Sequence, residues 1–99
     1  MMPKIALLAF LIIAPGTAFA TTASYVCEDK TQVVAIFSPP DASSGRVSLT
    51  LKGEAEAVVL PQVLSADGGR YANNEVEFWI KGRDATFTRD GKTQTCTGQ

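Results

Sequence analysis

The fold of this chain is decided by residues 75–92, which read EVEFWIKGRDATFTRDGK. From Glu75 to Lys81, valine, phenylalanine and isoleucine occupy every second position and share one face. This period of two predicts a half-buried strand. Gly82 permits a turn, after which the alternation resumes. Asp90-Gly91 is the strongest hairpin signal in the chain and predicts a tight turn into another strand.

The region before this segment continues the same pattern of short strands and turns. Strands are predicted at Tyr25-Val26-Cys27, at Gln32 to Phe37 with Val34 and Ile36 on one face, at Arg46 to Lys52, at Glu54 to Leu60, around Arg70-Tyr71-Ala72, and finally at Lys92 to Cys96. Ser38 to Gly45 has the composition of a loop. Pro61 is expected to end the pairing of its strand. Asn73-Asn74 is expected to form a two-residue hairpin turn, because asparagine tolerates positive φ.

These patterns define the fold class. About eight short antiparallel strands, with no helical periodicity beyond the N-terminal segment, predict an all-β domain. A small antiparallel β-barrel or a closed sandwich is expected, because closure removes exposed strand edges.

The N-terminus has the organisation of a secretory signal peptide. Lys4 provides a positive start, Ile5 to Ala14 is an unbroken apolar run, and Ala18 and Ala20 are small residues at the positions that a signal peptidase reads. The apolar run is too short to span a bilayer. Residues 1–20 are therefore expected to be removed after Ala20, leaving one domain at residues 21–99. No cysteine lies at the cleavage point, so a lipid anchor is not indicated and a free extracytoplasmic protein is expected.

The two cysteines, Cys27 and Cys96, lie near the two ends of the predicted domain. In an exported protein a disulfide is the expected state, and two cysteines allow one pairing. Closing a loop of about seventy residues stabilises a domain by roughly 4 kcal/mol in the chain-entropy model. No metal site is expected, because the chain has no histidine.

Composition argues against catalysis and against nucleic acid. The predicted mature chain has eight Lys and Arg against ten Asp and Glu, which does not favour nucleic acid or an anionic membrane surface. A serine nucleophile would lack its usual histidine base. The pairs Glu54/Glu56 and Glu75/Glu77 are interpreted as solvated faces of strands. Neither an enzyme nor a cofactor is expected, which leaves a binding function.

Two elements are candidates for binding. Trp79 and Lys81 fall on the polar side of their strand, and an exposed aromatic beside a cation is typical of an interface. The alternative is that twist or a bulge turns Trp79 into the core and that Lys81 merely precedes the Gly82 turn. The sequence pattern alone slightly favours this alternative. Asp67-Gly68-Gly69 has the composition of an ordinary turn. Tyr71, next to Arg70, is by pattern more typical of a core residue than of a contact.

Together these elements resemble the signatures of the inhibitors of c-type lysozyme, a family with membrane-bound (MliC) and periplasmic (PliC) forms. That family carries a Ser-Gly-x-x-Tyr turn, followed by an aromatic pair, one residue and Lys-Gly. The matching segments here are Asp67-Gly68-Gly69-Arg70-Tyr71 and Phe78-Trp79-Ile80-Lys81-Gly82, with Asp84-Ala85 after them. The cysteines, Leu60-Pro61 and the Asp90-Gly91-Lys92 hairpin also fit. Without a lipidation cysteine, the chain resembles the periplasmic form.

The resemblance implies an eight-stranded antiparallel barrel that blocks c-type lysozymes of animal hosts. It implies that the two signature loops enter the glycosidase cleft and that Lys81 reaches the two catalytic carboxylates. Gly68 and Gly69 would allow close backbone approach, and Trp79 would either support the Lys81 loop or line its rim.

One departure from the family pattern concerns Asp67, which stands where the family has serine. A serine hydroxyl can donate to a carboxylate, whereas an ionised aspartate can only accept. Three alternatives follow: the inhibitor relies mostly on Lys81, it prefers a different lysozyme, or its inhibition is weak. The other hypothesis is a periplasmic module that binds cell-wall glycan or another protein, with Trp79 and Tyr71 as stacking surfaces. The sequence is compatible with a monomer or a weak dimer.

Overall fold

The computed structural model describes residues 20–39 and 44–99. The predicted signal peptide, apart from Ala20, lies outside the described residues, as does the 40–43 part of the predicted loop. The strands are β1 (Thr21–Cys27), β2 (Gln32–Phe37), β3 (Arg46–Leu51), β4 (Val58–Val63), β5 (Arg70–Ala72), β6 (Val76–Lys81), β7 (Asp84–Arg89) and β8 (Lys92–Gly98). Within the described ranges no helix is long and apolar enough to cross a membrane.

The strands form a closed barrel in chain order, and each pairs antiparallel with its neighbours. The ring closes where β1 meets β8, with Tyr25 opposite Gly98 and Cys27 opposite Cys96. A disulfide joins these two cysteines at the closing seam. The all-β class, the barrel of eight strands and the disulfide are thereby confirmed.

The barrel interior is filled by the alternate apolar residues of the strands. The buried hydrophobic residues are Tyr25, Cys27, Val33, Ala35, Val47, Leu49, Leu51, Leu60, Val76, Phe78, Ala85, Phe87 and Cys96. Phe78 is fully buried and lies edge-on to Tyr25 and Phe87, with ring centroids 5.3 and 6.2 Å away. The predicted inward face of β6 is confirmed. In β2 the core face is Val33 and Ala35, so Val34 and Ile36 share the outer face.

The fourth strand differs from the prediction. It runs from Val58 to Val63, residues 54–57 are a connection, and Pro61 lies within the strand opposite Arg46. The prediction that Pro61 ends the pairing was wrong, because the strand continues past it and pairs with β5 at Gln62 and Val63. Since the pairing with β5 does not extend to Pro61, the missing N–H of the proline removes no hydrogen bond between these two strands.

Two hairpin turns show different chemistry. At Asp90-Gly91 both residues have positive φ, 54° and 75°, as a type I′ turn requires, so that prediction is confirmed. The connection between β5 and β6 lies where it was predicted, but it has three residues, 73–75, rather than two, and neither asparagine has positive φ. The Asn73 side-chain oxygen instead accepts hydrogen bonds from the main-chain N–H groups of Glu75 and Val76, both at 2.8 Å.

Because the strands alternate in direction, the connections gather at two ends of the barrel. The Lys81 end carries the β4–β5 connection, residues 64–69, and the β6–β7 turn, residues 82–83. The opposite Asp90 end carries the β3–β4 connection, residues 52–57, and the β7–β8 turn, residues 90–91. The two signatures found in the sequence therefore meet at one end.

Candidate functional site

Lys81 is the last residue of β6 and stands at the edge of the Lys81 end. It pairs with Asp84 across the two-residue turn Gly82-Arg83, where Gly82 has φ of 65°. Its side chain is exposed, and its ammonium nitrogen lies 4.1 Å from the centroid of the Trp79 ring. Among the residues described, no carboxylate forms a salt bridge with Lys81. The ammonium is thus available to an external anion.

Trp79 lies on the outer side of β6 and is not part of the buried core. It is half-buried on the outer side where alternation places it, and the alternative in which twist or a bulge turns it inward was therefore wrong. Its cross-strand partner is Arg70, whose guanidinium carbon lies 5.1 Å from the ring centroid. Its indole N–H donates a hydrogen bond of 2.8 Å to the main-chain oxygen of Asp67. The tryptophan therefore contacts both signature segments.

The 64–69 connection is held by hydrogen bonds at several of its residues. The main-chain N–H of Ile80 donates to the oxygen of Gly69 at 2.8 Å. The Ser65 hydroxyl donates to the oxygen of Asp67 at 2.7 Å and accepts from the Asp67 N–H at 3.2 Å. Gly68 has φ of 68°, and a Cβ there would collide with the Ile80 carbonyl oxygen. A glycine is required at this position by both conformation and space.

Arg70 forms an ion pair with Glu77 on the outer face of β5 and β6. The Arg70 Nε and a Glu77 carboxylate oxygen lie 2.5 Å apart, and both side chains are partly buried. The interpretation of Glu77 as a solvated residue was wrong, because the adjacent hairpin strand brings a cation beside it. Arg70 is thus compensated in charge, whereas Lys81 has no such partner in the part of the chain that the structure describes.

Tyr71 lies on the inner side of β5, opposite Phe78. It is half-buried, packs against the core, and its ring lies 5.5 Å from that of Phe37. Burial raises the pKa of the Tyr71 phenol above its usual range. The ring also packs under Gly69, where a Cβ would be 3.2 Å from it. The structure thus places Tyr71 beneath the loop rather than beside Trp79 and Lys81.

The Asp90 end carries a separate polar cleft of about 360 Å³. Glu54 and Arg89 form a two-pronged ion pair there, with distances of 2.9 and 3.0 Å. Lys52 and Lys92 line the same cleft. In the described part of the chain no cluster of three or more His, Cys, Asp or Glu side chains could hold a metal ion.

Two residues of the site were not found from the sequence. Ser65 had a signal, since a serine two residues before a turn can bond the turn backbone. The signal for Glu77 was weaker. The alternation along the strand placed Glu77 on the same face as Trp79, but the identity of its ion-pair partner, Arg70, depended on the register of the β5–β6 hairpin.

The fold and this end of the molecule define a small disulfide-closed barrel with an exposed lysine beside a glycine-containing loop, and within residues 20–39 and 44–99 no carboxylate pairs with that lysine. Comparison with known proteins agrees with this class. The family model described as membrane-bound lysozyme-inhibitor of c-type lysozyme (MliC) matches residues 25–95. The chain therefore belongs to this family of inhibitors.

Two relatives are similar over different extents. The membrane-bound lysozyme inhibitor of C-type lysozyme from Yersinia enterocolitica is 42% identical over 52 residues, which are 52% of this chain and 43% of that protein. The aligned segment thus spans less than half of that relative's length. Pseudomonas aeruginosa MliC, solved in complex with hen egg white lysozyme, has a TM-score of 0.65 and 26% identity. That match covers 97% of this chain and 100% of the solved one.

Proposed function

We propose that this protein inhibits a c-type lysozyme by placing Lys81 and the 64–69 connection in the glycosidase cleft. The proposal is supported by family membership and by the similar P. aeruginosa protein, which was solved with hen egg white lysozyme. The observation that carries it is local. At the Lys81 end, an exposed ammonium without a carboxylate partner in the described residues stands beside a glycine-containing loop.

The chemistry of the target explains why such an end would inhibit. A retaining glycosidase of this kind keeps one carboxyl protonated and one ionised, about 5–5.5 Å apart. An ammonium between them pairs with the ionised group, favours ionisation of the other, and occupies the space of the sugar. Exclusion of water would strengthen these interactions.

The loop would contribute by shape. Gly68 and Gly69 carry no side chains, so the main chain can approach the wall of a cleft closely. Asp67 is exposed at the head of this loop. Beside the carboxylates of a glycosidase its own carboxylate would be repelled, which makes it the residue that limits affinity in this proposal.

We further propose that this protein is not an enzyme and that it acts outside the cytoplasm. The chain has no histidine, and an inhibitor family supplies no catalytic role for its acids. We propose that residues 1–20 are a signal peptide cleaved after Ala20 and that residues 21–99 act in the periplasm. The mass of the protein recovered from a periplasmic extract would measure the cleavage point and detect any added lipid.

The test is a turbidity assay with hen egg white lysozyme and a bacterial suspension. An inhibitor of the enzyme should slow lysis in proportion to its ratio to lysozyme and reach full effect near one to one. A glycan-binding module would act only in excess over the suspended cell wall and would bind peptidoglycan directly. Protection that scales with the amount of substrate rather than with enzyme would overturn the proposal.

A further inference from the structure

We propose that Trp79 is a positioning residue that fixes Lys81 and the 64–69 connection relative to each other before any partner is bound. The inference rests on the proposed function, in which Lys81 is the main contact with the enzyme. It assigns to Trp79 a role inside the inhibitor rather than at its contact surface. Three contacts of the indole carry the inference.

The first contact restrains Lys81. A lysine side chain has four rotatable carbon bonds, and ordering it on binding costs free energy. In the structure the ammonium already lies 4.1 Å from the Trp79 ring centroid, on an exposed side chain. Attraction between the cation and the ring face favours this geometry. Part of the ordering is therefore present in the free protein.

The second contact restrains the loop. The Trp79 indole N–H donates to the main-chain oxygen of Asp67, 12 residues away in the chain. Because the acceptor is a main-chain atom, this contact does not depend on which side chain occupies position 67. The same oxygen also accepts from the Ser65 hydroxyl. Removing the indole N–H would therefore loosen the loop without leaving its acceptor unpaired.

The third contact holds the indole itself. The Arg70 guanidinium lies 5.1 Å from the ring centroid, and Arg70 is fixed by its ion pair with Glu77. Glu77 also compensates the charge of Arg70, which reduces the repulsion between Arg70 and Lys81. The net positive charge of the cluster is thus concentrated on Lys81.

The arrangement decides between the two roles expected for Trp79. The ring already contacts two cations and donates its N–H within the protein, so its interactions are made inside the inhibitor. Its contacts instead join the lysine-bearing turn to the glycine-containing loop. The geometry favours support of the Lys81 loop over a place on its rim.

Two variants separate the contacts. Trp79→Ala removes both the ring and the N–H, and inhibition of hen egg white lysozyme should weaken on the order of tenfold. Trp79→Phe keeps a ring beneath Lys81 and removes the N–H, so it should recover most of that loss. Arg89→Gln, at the opposite end, is the control and should leave inhibition unchanged. Thermal unfolding of each variant checks that it folds.

A double-mutant cycle separates positioning from direct contact. In a Lys81→Gln background inhibition is no longer measurable, so residual binding to lysozyme is followed by calorimetry at high protein concentration. There Trp79→Ala should weaken binding about twofold or less, because the main contact through which Trp79 acts is gone. An undiminished effect in that background would mean that Trp79 touches the enzyme, which overturns the inference. Full inhibition of lysozyme by the single variant Trp79→Ala would also overturn the inference.

A measurement on the free protein keeps this inference separate from the proposed function. The Lys81 ε-methylene protons should show an upfield ring-current shift by NMR, retained in Trp79→Phe and lost in Trp79→Ala. The Ile80 amide, bonded to the loop, should exchange faster with solvent in both variants. Unshifted Lys81 protons in the parent protein would overturn the positioning role of Trp79, even if the parent protein inhibits lysozyme. Absence of inhibition with these shifts present would instead overturn the proposed function alone.

Discussion

The indole N–H of Trp79 and the main-chain oxygen of Asp67 are joined by a hydrogen bond of 2.8 Å. This bond connects β6 to the loop that precedes β5, so the two signature segments form one unit at the Lys81 end. The Ile80 N–H, bonded to the oxygen of Gly69, makes a second link between the same elements. Changes at either segment are therefore expected to affect the other.

The first prediction concerns the charge of Lys81. Lys81→Ala should abolish measurable inhibition of a c-type lysozyme, since truncating one member of a buried charge pair costs about 2–5 kcal/mol of binding. Lys92→Ala is the matched control, because Lys92 also adjoins a two-residue turn but at the Asp90 end. Inhibition constants from the turbidity assay measure both. An unchanged constant for Lys81→Ala would disprove the mechanism.

The second prediction concerns Asp67. Asp67→Ser should strengthen inhibition, because it replaces a carboxylate that repels the enzyme acids with a hydroxyl that can donate. The main-chain oxygen that anchors the loop is unaffected by the exchange. Asp67→Ala separates the two effects, since it removes the charge without adding a donor. Weaker inhibition by both variants would indicate that Asp67 makes a favourable contact with its target.

Local alternation was enough to predict most of the fold. The inward face of β6 and the Asp90-Gly91 turn depend on near neighbours, and both were correct. Pro61 was misjudged because its effect depends on how far β5 extends beside β4, which is a property of the whole barrel. The Asn73 turn was placed correctly, but its length and its chemistry were wrong. It has three residues rather than two, and a side-chain acceptor replaced the expected positive φ.

The candidate site was less accessible to sequence reasoning than the fold. The strand pattern marked Trp79 and Lys81 as a candidate interface, but it left open whether Trp79 turns inward. The roles of Lys81 and of the glycine-containing loop came from the resemblance. The partnership of Arg70 with Glu77 required the register of the β5–β6 hairpin, which no local pattern gives. Contacts between strands, rather than residue types, decide which of these charges remains uncompensated.

The third prediction concerns the seam between β1 and β8. Three residue pairs join these strands in register, and one of them is the disulfide Cys27–Cys96. Replacing both cysteines with alanine should lower the free energy of unfolding by about 4 kcal/mol in the chain-entropy model. Urea unfolding measures this change, and reduction of the parent protein should give a similar loss. An unchanged midpoint of urea unfolding would show that the remaining contacts between β1 and β8 stabilise the barrel without the disulfide.

The fourth prediction concerns pH at the Asp90 end. The hydrogen bonds and charge of Arg89 hold the pKa of the Glu54 carboxyl below its usual range. A carboxyl with a lowered pKa stabilises the fold above its unfolded pKa, and the contribution is lost as pH falls through the folded value. NMR titration should show this lowered pKa in the parent protein and a return to the usual range in Arg89→Gln. An identical titration in both proteins would contradict the ion pair.

The fifth prediction compares two glycines with positive φ. Gly53 has φ of 92° and nothing within 4 Å of the position that a Cβ would take, whereas a Cβ on Gly68 would collide with the Ile80 carbonyl oxygen. Gly53→Ala should cost about 1–2 kcal/mol from backbone strain alone. Gly68→Ala carries the same strain, and overpacking should add roughly 1–3 kcal/mol. Because the collision pushes the loop away from β6, Gly68→Ala should also weaken inhibition, while Gly53→Ala should not. Equal unfolding free energies for the two variants, with inhibition intact in both, would show that the loop does not need its close contact with Ile80.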